Sequence, residues 1–292
     1  MPFSDLIGNT PLIELSALRG YLELSAHLFA KAEFMNPTGS VKDRSALFMI
    51  RSALEKGVLS KDGTVVEISA GNSAISAAAV CAAFSLDCVI VLPDDTDKER
   101  INTIREYGAK IITVPGKEGR QGLESAAKSL FGRVKNAVLF DPFASDDNAE
   151  AHRQGTAQEI LNELPQVDAL VCGIGTGGTV TGCGEIIKRM NPECHIVGVE
   201  PAESPVISGG NPGTHGISGI GAGFVPEVLN TYILNEMLRV RTPDALEGRR
   251  ILAQTEGILC GVSSGAALVA AVSVARRAEF SGKNIVLILP DR

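Results

Sequence analysis

The chain has 292 residues, about twice the ~150 residues of an average domain, so it is long enough for one large domain or two smaller ones. Apolar residues make up 45% and charged residues 21%, which predicts a packed core and excludes a disordered chain. The 27 Lys and Arg residues are outnumbered by 34 Asp and Glu residues. The resulting net charge of -7 argues against nucleic acid or an anionic membrane surface as the main partner.

The N-terminal residues Met1–Asp5 show neither the basic nor the apolar region of a signal peptide. The longest runs of small apolar residues, such as Ile75–Phe84, are too short to span a bilayer. Six cysteines are scattered without a C-x-x-C pair, so they predict buried thiols rather than disulfides or a zinc site. We therefore expect a soluble cytoplasmic protein without a metal centre.

Short apolar runs rich in β-branched residues alternate with longer Ala-, Glu- and Lys-rich stretches of helical period. The predicted strands are Leu28–Phe34, Thr64–Ser69, Cys88–Leu92, Lys110–Val114, Ala137–Phe140, Asp168–Cys172, His195–Val199 and Ile285–Leu289. Predicted helices over Ser45–Lys56 and Thr96–Tyr107 are followed by Gly57 and Gly108, a common C-terminal signal. This alternation predicts an α/β fold of mostly parallel, twisted sheets with helices on both faces.

Four segments rich in Gly and Ser stand where predicted strands end, and ligands of open parallel sheets bind beyond the carboxyl ends of strands. The first, Asn36–Arg44, places Lys42 at the start of a helix. A cation there opposes the helix dipole, which helps to lower the pKa of an amine and make it nucleophilic. Taken alone, the segment favours a solvated lysine beside Asp43 and Arg44.

The second segment, Glu67–Ala74, is a strand end followed by a turn of small residues into a helix. Backbone N–H groups and hydroxyls at such a turn form an anion site, whereas Asn72 or Ser73 could equally serve only as the helix cap. The fourth, Gly257–Gly265, also leads into an Ala-rich helix. Its hydroxyls either cap that helix or face a ligand, and spacing alone favours capping.

The third segment, Gly173–Thr179, follows a predicted apolar strand and contains four glycines, which let the backbone approach a phosphate closely. It also satisfies the pattern G-x-G-x-x-G, with Glu200 at the end of the next strand. This spacing leaves a dinucleotide-binding site as a rival interpretation.

Together these four segments resemble the cysteine synthase (O-acetylserine sulfhydrylase) group of fold-type II pyridoxal phosphate enzymes, which includes cystathionine β-synthase. The resemblance continues through Ile7–Leu12, Gly198–Pro201 and Gly219–Phe224, and so covers nearly the whole chain. It implies a smaller mobile domain over residues 42–147. Residues 1–41 and 148–292 would form a larger domain that binds the cofactor phosphate. It also favours pyridoxal phosphate over a dinucleotide, because a nicotinamide enzyme has no use for the segments of Lys42 and Ser263.

The resemblance implies a role for each matching residue. Lys42 holds pyridoxal 5'-phosphate covalently and then acts as a general base. Asn72 hydrogen-bonds the phenolic oxygen of the cofactor, and Ser263 or its neighbour Ser264 faces the pyridine nitrogen. The cofactor phosphate is expected at Gly175, Thr176, Gly177, Gly178 and Thr179. The substrate is expected at Ser69, Ala70, Gly71, Ser73 and Gly219.

The implied enzyme is a homodimeric transferase of cysteine biosynthesis that replaces the β-substituent of an O-activated L-serine, most simply O-acetylserine, with sulfide. The chain departs from the family pattern T-S-G-N-T-G at Ala70 and Ala74, and Pro142 stands where many members have a glutamine. Losing donors to a carboxylate costs on the order of 1.5–3 kcal/mol each. These departures leave open β-elimination by a lyase, another serine derivative or nucleophile, and, in a different class, a non-catalytic regulatory homologue that binds the cofactor.

Overall fold

The computed structural model describes residues 2–134 and 136–292, in which ten β-strands form two sheets. The larger sheet has, in spatial order, β1 (Leu12–Glu14), β2 (His27–Ala32), β10 (Asn284–Leu289), β7 (Ala169–Gly173), β8 (His195–Pro201) and β9 (Glu236–Val240). Its neighbouring strands are parallel except for the edge pair β1 and β2, which is antiparallel. The predicted α/β class is confirmed.

The smaller sheet has four strands, all parallel. In spatial order they are β5 (Lys110–Val114), β4 (Asp87–Pro93), β3 (Thr64–Ile68) and β6 (Ala137–Phe140). In the register of the central strands, Val66 pairs with Val89 on one side and with Leu139 on the other. Strand β3 is therefore internal to the sheet, and its carboxyl end opens toward the larger sheet.

Within residues 2–134 and 136–292, ten α-helices connect these strands. They are α1 (Ser16–Tyr21), α2 (Lys42–Glu55), α3 (Asn72–Ala83), α4 (Lys98–Glu106), α5 (Gly119–Leu130), α6 (Asp146–Ala151), α7 (Ala157–Glu163), α8 (Gly178–Met190), α9 (Thr242–Glu256) and α10 (Val262–Ala275). A π-helical turn, His152–Thr156, joins α6 to α7. In the two described ranges, none of the helices has the length and apolar character needed to cross a membrane.

All eight predicted strands are present, with ends within two residues of the expected positions. Gly57 and Gly108 have the left-handed conformation expected after a helix, with φ of 70° and 85°. The sequence did not predict β1 and β9. Strand β1 has only three residues, and β9 is an edge strand whose Glu236 and Arg239 interrupt the apolar pattern.

Helices cover both faces of each sheet, which is why the strands are nearly continuous in apolar residues. In β10, Leu287 packs into the core beneath α9 and α10, whereas its neighbour Val286 packs toward α7 and α8. In β3, Val65 faces α2 and α3, and Val66 faces α5.

The six cysteines are buried and free, as predicted. Burial raises the pKa of the Cys194 thiol to about 12, so this thiol is protonated and unreactive at neutral pH. The cysteines therefore contribute to the core as small apolar residues rather than as reactive groups.

Candidate active site

A cavity of about 270 Å³ lies between the two sheets, where the segments that follow β3, β7 and β10 meet. It brings together residues that lie far apart in the sequence. Of the predicted site residues, its lining includes Lys42, Ser69, Gly71, Asn72, Ser73, Gly175, Thr176, Gly219 and Ser263. The predicted residues Gly177 and Thr179 line a smaller adjoining cavity, and Ala70 lines a larger one that shares Ser69, Pro142 and Phe143 with the first.

Lys42 is the first residue of α2, as the sequence predicted. Its backbone N–H donates to the Ser40 hydroxyl over 3.2 Å, and its side chain is half-buried because one side faces the cavity. Burial lowers the pKa of the Lys42 amine, while the carboxylates of Asp291 and Glu67 oppose that change. The net lowering favours the neutral amine, which is the nucleophilic and basic form.

The glycine positions at the start of α8 leave no room for side chains. A Cβ at Gly175 would lie 2.3 Å from the carbonyl oxygen of Gly219, and one at Gly178 would lie 2.3 Å from Oδ1 of Asn148. Gly177, the residue before α8, has a φ of 88°, and no side chain caps the N-terminus of the helix. The loop therefore places bare backbone at a helix N-terminus, where N–H groups and the helix dipole favour an anion such as a phosphate.

The threonine hydroxyls of this loop already have protein partners. The Thr176 hydroxyl accepts from Nδ2 of Asn148 over 3.0 Å, and the Thr179 hydroxyl lies 3.2 Å from Nε2 of His152. Burial, with the nearby charges of Arg44 and Lys42, holds the pKa of His152 well below its ordinary value. Since His152 is neutral, it adds no positive charge to the site.

Asn72 and Ser263 meet at one carboxylate that the sequence analysis did not single out. Asn72 Nδ2 donates to Oδ2 of Asp291 over 2.7 Å, and the Ser263 hydroxyl donates to Oδ1 over 3.1 Å. Ser264, the alternative to Ser263, points its hydroxyl instead at the Asp291 carbonyl oxygen, 3.4 Å away. The one sequence feature that Asp291 shares with the other site segments is its position just beyond a strand, two residues after the last residue of β10.

Asp291 is held by backbone contacts to both neighbouring segments. Its carbonyl oxygen accepts from the Gly261 N–H over 2.8 Å, and the Val41 N–H donates to the carbonyl oxygen of Pro290 over 2.8 Å. Burial raises the pKa of Asp291, opposed by the Lys42 charge and by the donors Ser263 and Asn72. The carboxylate is therefore fixed between the segments of the lysine and the serine.

The interpretation of Asn72 or Ser73 as a helix cap is wrong. Helix α3 begins after Gly71, and no side chain caps its N-terminus. Likewise α10 begins after Gly261 without a side-chain cap, and Ser263 lies inside the helix. The side chains of Asn72 and Ser263 face the cavity, where both donate to the Asp291 carboxylate instead of capping a helix.

Glu67 is a second acidic residue of the cavity wall. It lies on β3, is buried, and neither of its carboxylate oxygens meets hydrogen-bond geometry with any group in the described part of the chain. Burial raises its pKa to about 8, Asp141 adds to the increase, and Ser73 and Lys42 oppose it. Glu67 is therefore largely protonated at neutral pH. Its buried position could not be read from the strand pattern.

The elevated pKa of Glu67 predicts a pH-dependent stability. Between the ordinary value of 4.5 and about 8, the folded chain keeps a proton that the unfolded chain has lost. The stability that this proton provides is complete below the lower value and is lost as the pH rises through the higher one. When the pH rises from 5 to 9, the native chain should lose this contribution, whereas Glu67→Gln has no carboxyl to titrate. The free energy of unfolding of Glu67→Gln minus that of the native chain should therefore increase by roughly 3–5 kcal/mol over this range.

Urea denaturation at both pH values measures this gain. The matched control is Glu55→Gln at an exposed position of α2, which should show the same pH dependence as the native chain. A constant difference between Glu67→Gln and the native chain at pH 5 and pH 9 contradicts the assignment.

Comparison with known families agrees with this geometry. A family model described as "Pyridoxal-phosphate dependent enzyme" matches residues 3–291. The chain belongs to that family. It is 40% identical to cysteine synthase B of Campylobacter jejuni over 289 residues, which are 99% of this chain and 94% of the relative.

Two solved structures are similar over the whole fold. The cysteine synthase of Entamoeba histolytica has a TM-score of 0.95 and 34% identity, covering 99% of this chain and 86% of that one. A hydrogen sulfide-producing enzyme from Fusobacterium nucleatum has a TM-score of 0.93 and 34% identity, covering 99% and 95%. The fold-type II architecture is confirmed.

The dinucleotide interpretation is wrong. The Glu200 carboxylate is buried and accepts hydrogen bonds from the N–H groups of Ile207 and Ser208, over 2.9 and 3.1 Å, so it is not available to a ribose. The family match identifies the cofactor as pyridoxal phosphate. The glycine loop at α8, the amine of Lys42 and the donors Asn72 and Ser263 all fit this group, since they offer an anion site, a nucleophile and two hydrogen-bond donors around one cavity.

Proposed function

We propose that the protein catalyses β-replacement on O-acetyl-L-serine, with sulfide as the nucleophile and cysteine and acetate as products. The observation that carries this proposal is the amine of Lys42, which faces a cavity shared with the glycine loop, Asn72 and Ser263. The names of similar proteins support it, since cysteine synthases from two bacteria, Campylobacter jejuni and Staphylococcus aureus, are 40% identical to almost the whole chain.

In this proposal, bound pyridoxal phosphate supplies an electron sink for the substrate's Cα. Lys42 holds the cofactor, and its Nζ then takes the Cα proton and carries it within the cavity. The lowered pKa of the amine suits this role, because a general base must be neutral at the working pH. The glycine loop of residues 175–179 holds the phosphate. Asn72 donates to the phenolic oxygen of the cofactor ring, and Ser263 faces its pyridine nitrogen.

The substrate carboxylate is proposed to bind at the loop between β3 and α3. The Ser69 hydroxyl accepts from the Gly71 N–H over 3.2 Å, which leaves its proton free to donate. Ser73 and Gly219 also line the cavity. Arg100 also lines the cavity, and its Nη1 donates to the Ala70 carbonyl oxygen over 3.2 Å. A cation therefore lies beside this loop, in which Ala70 stands where the family pattern has a serine.

The smaller unit, residues 42–147, is proposed to move relative to the rest of the chain. All four strands of the smaller sheet lie inside this range, and their core clusters are separate from those of the larger sheet. We also propose a homodimer in the cytoplasm, following the family resemblance and the six free cysteines. Light scattering that gives the mass of one chain would contradict the dimer.

Product analysis tests the proposed reaction. The protein loaded with pyridoxal phosphate should convert O-acetylserine and sulfide to cysteine and acetate in equal amounts. Without sulfide, little pyruvate should form. A cofactor-loaded protein that leaves O-acetylserine unchanged would be a binding homologue instead, and this result overturns the proposal.

β-Elimination remains the second candidate. Ala70 and Pro142 remove donors near the substrate, and the similar structure from Fusobacterium nucleatum is of a hydrogen sulfide-producing enzyme. Rapid pyruvate formation from cysteine or O-acetylserine, without replacement, would establish this activity in place of the first.

A further inference from the structure

Asn148 is a buried amide that lies between the glycine loop of residues 175–179 and the segment that follows β6. It belongs to α6 and is 2% exposed. Its Nδ2 donates to the Pro142 carbonyl oxygen over 2.7 Å and to the Thr176 hydroxyl over 3.0 Å. The mechanism proposed above gives this side chain no role, although it joins the glycine loop to the wall of the reaction cavity.

The contact with Pro142 fixes which way the Asn148 amide faces. A carbonyl oxygen can only accept a hydrogen bond, so the amide atom beside it must be the nitrogen and not the oxygen. The second hydrogen of the same nitrogen is then directed to Thr176. The Thr176 hydroxyl therefore accepts from Asn148, and its own proton is left for a different acceptor.

The glycine at position 178 is an independent sign that Asn148 is built into the loop. A Cβ at Gly178, the first residue of α8, would overlap the amide atoms of Asn148. Any larger residue at this position would displace Asn148 from Thr176. The close approach that requires a glycine here is therefore that of the Asn148 amide to the loop.

The direction of the Thr176 hydroxyl matches an anion. Thr176 lines both the reaction cavity and the smaller cavity beside it, so its remaining proton has access to a ligand. A phosphate dianion only accepts hydrogen bonds, and bonds to a charged acceptor are the stronger ones. A hydroxyl whose direction is set before binding also avoids part of the entropic cost of being ordered by the ligand.

We propose that Asn148 is a positioning residue for the cofactor, which holds the Thr176 hydroxyl as a donor to the phosphate of pyridoxal phosphate. The inference goes beyond the proposed reaction, because it concerns binding of the cofactor and not the chemistry on serine. It rests on the assignment of the phosphate to residues 175–179. Asn148 should therefore matter for pyridoxal phosphate but not for pyridoxal, which lacks the phosphate.

Equilibrium dialysis of the full chain, freed of cofactor, against pyridoxal phosphate and against pyridoxal gives the phosphate preference as a ratio of two Kd values. Asn148→Leu keeps the size of the side chain but removes its donors. The preference should fall about ten- to a hundredfold, the usual effect of losing one hydrogen bond to a charged group. The Kd for pyridoxal should change less than about threefold.

The matched control is Asn191→Leu at the other end of α8. It removes a similar bond, in which Nδ2 of Asn191 donates to the Val167 carbonyl oxygen over 2.9 Å. The control should keep the native phosphate preference. Asn148→Ala, which adds no bulk beside Gly178, is the second variant in case Asn148→Leu does not fold, and the same loss is expected.

A double variant separates positioning from a general loss of structure. Thr176→Val removes the hydroxyl but keeps the shape of the side chain, and should lower the phosphate preference by a similar factor. Because Asn148 acts through that hydroxyl, adding Asn148→Leu to Thr176→Val should lower the preference no more than about twofold further. Thr176→Ser, which keeps a hydroxyl, should keep most of the native preference.

Two results overturn the inference. One is a phosphate preference in the folded Asn148 variant that lies within about threefold of the native value. The other is a full further loss when Asn148→Leu is added to Thr176→Val, since Asn148 would then stabilise the loop without acting through the hydroxyl. If Thr176→Val itself keeps the native preference, the assignment of the phosphate to this loop fails instead, so the two failures are distinguishable.

Discussion

Replacing Lys42 with alanine is expected to lower the rate of the replacement reaction by about 10²- to 10⁴-fold, the usual contribution of a general base. Lys42 is the lysine that lines the cavity, and its amine is the group positioned to accept the substrate's proton. The variant should still bind pyridoxal phosphate, because the glycine loop at the start of α8 does not depend on Lys42. It should not bind the cofactor covalently.

Borohydride reduction followed by peptide mass spectrometry separates these two properties. In the native chain the reduced cofactor should be found on the peptide that contains Lys42. In Lys42→Ala no lysine should carry it, although equilibrium dialysis should still detect bound cofactor. Lys56→Ala, at the other end of α2 and exposed, is the matched control and should behave as the native chain. Full activity in Lys42→Ala would refute the proposed chemistry.

Replacing Arg44 with leucine is expected to cost about 3–5 kcal/mol of stability, the usual effect of removing one partner from a buried ion pair. Arg44 Nε lies 2.6 Å from Glu33, and its Nη2 lies 2.6 Å from Glu159. Lys31 contacts the same Glu159 oxygen over 2.8 Å, and the Thr10 hydroxyl donates to Glu33 over 2.6 Å. The cluster ties α2 to strand β2 and to α7.

The reason for the large effect is burial. Arg44 is 5% exposed and Glu33 is fully buried, so Arg44→Leu leaves a carboxylate without its charge partner inside the protein. Although burial alone would raise the pKa of Glu159, its bonds and charge contact with Arg44 outweigh this and lower the pKa to about 2, with help from Lys31. That group should therefore regain a higher pKa in the variant.

Urea denaturation of the cofactor-free protein at pH 7 measures the loss. The control is Arg250→Leu, which breaks an ion pair with Glu247 in which both side chains are about half exposed. Exposed pairs contribute only about 0–1 kcal/mol. Similar losses in the two variants would show that the Arg44 cluster is no more important than a surface contact.

Much of the fold followed from local patterns. The strand Ala169–Gly173 is predictable because both of its faces are buried, so almost every residue must be apolar. Lys42 could be placed at a helix start because Asn36–Ser40 is a clear turn segment. The two unpredicted strands lie at edges, where one side faces solvent and charged residues such as Glu236 and Arg239 are tolerated.

The candidate site was predictable only in part. Segments with unusual composition, such as Gly173–Thr179, stand out because glycine is costly unless backbone approach requires it. Asp291 and Glu67 do not stand out, because a single acidic residue at a strand end has no pattern of its own. Their importance arises from what they face, namely Asn72, Ser263 and Lys42.

The sequence alone was thus enough to predict two features of the protein. The first is a set of parallel strands that must be covered by helices, and the second is a set of glycine- and serine-rich turns at the ends of those strands. Local composition carries this information because burial and backbone conformation act on neighbouring residues. Folding alone brings Asp291 to Asn72, 219 residues away, and gathers the segments that follow β3, β7 and β10 around one cavity. Contacts between distant segments depend on how whole sheets pack, and no short stretch of sequence records that packing.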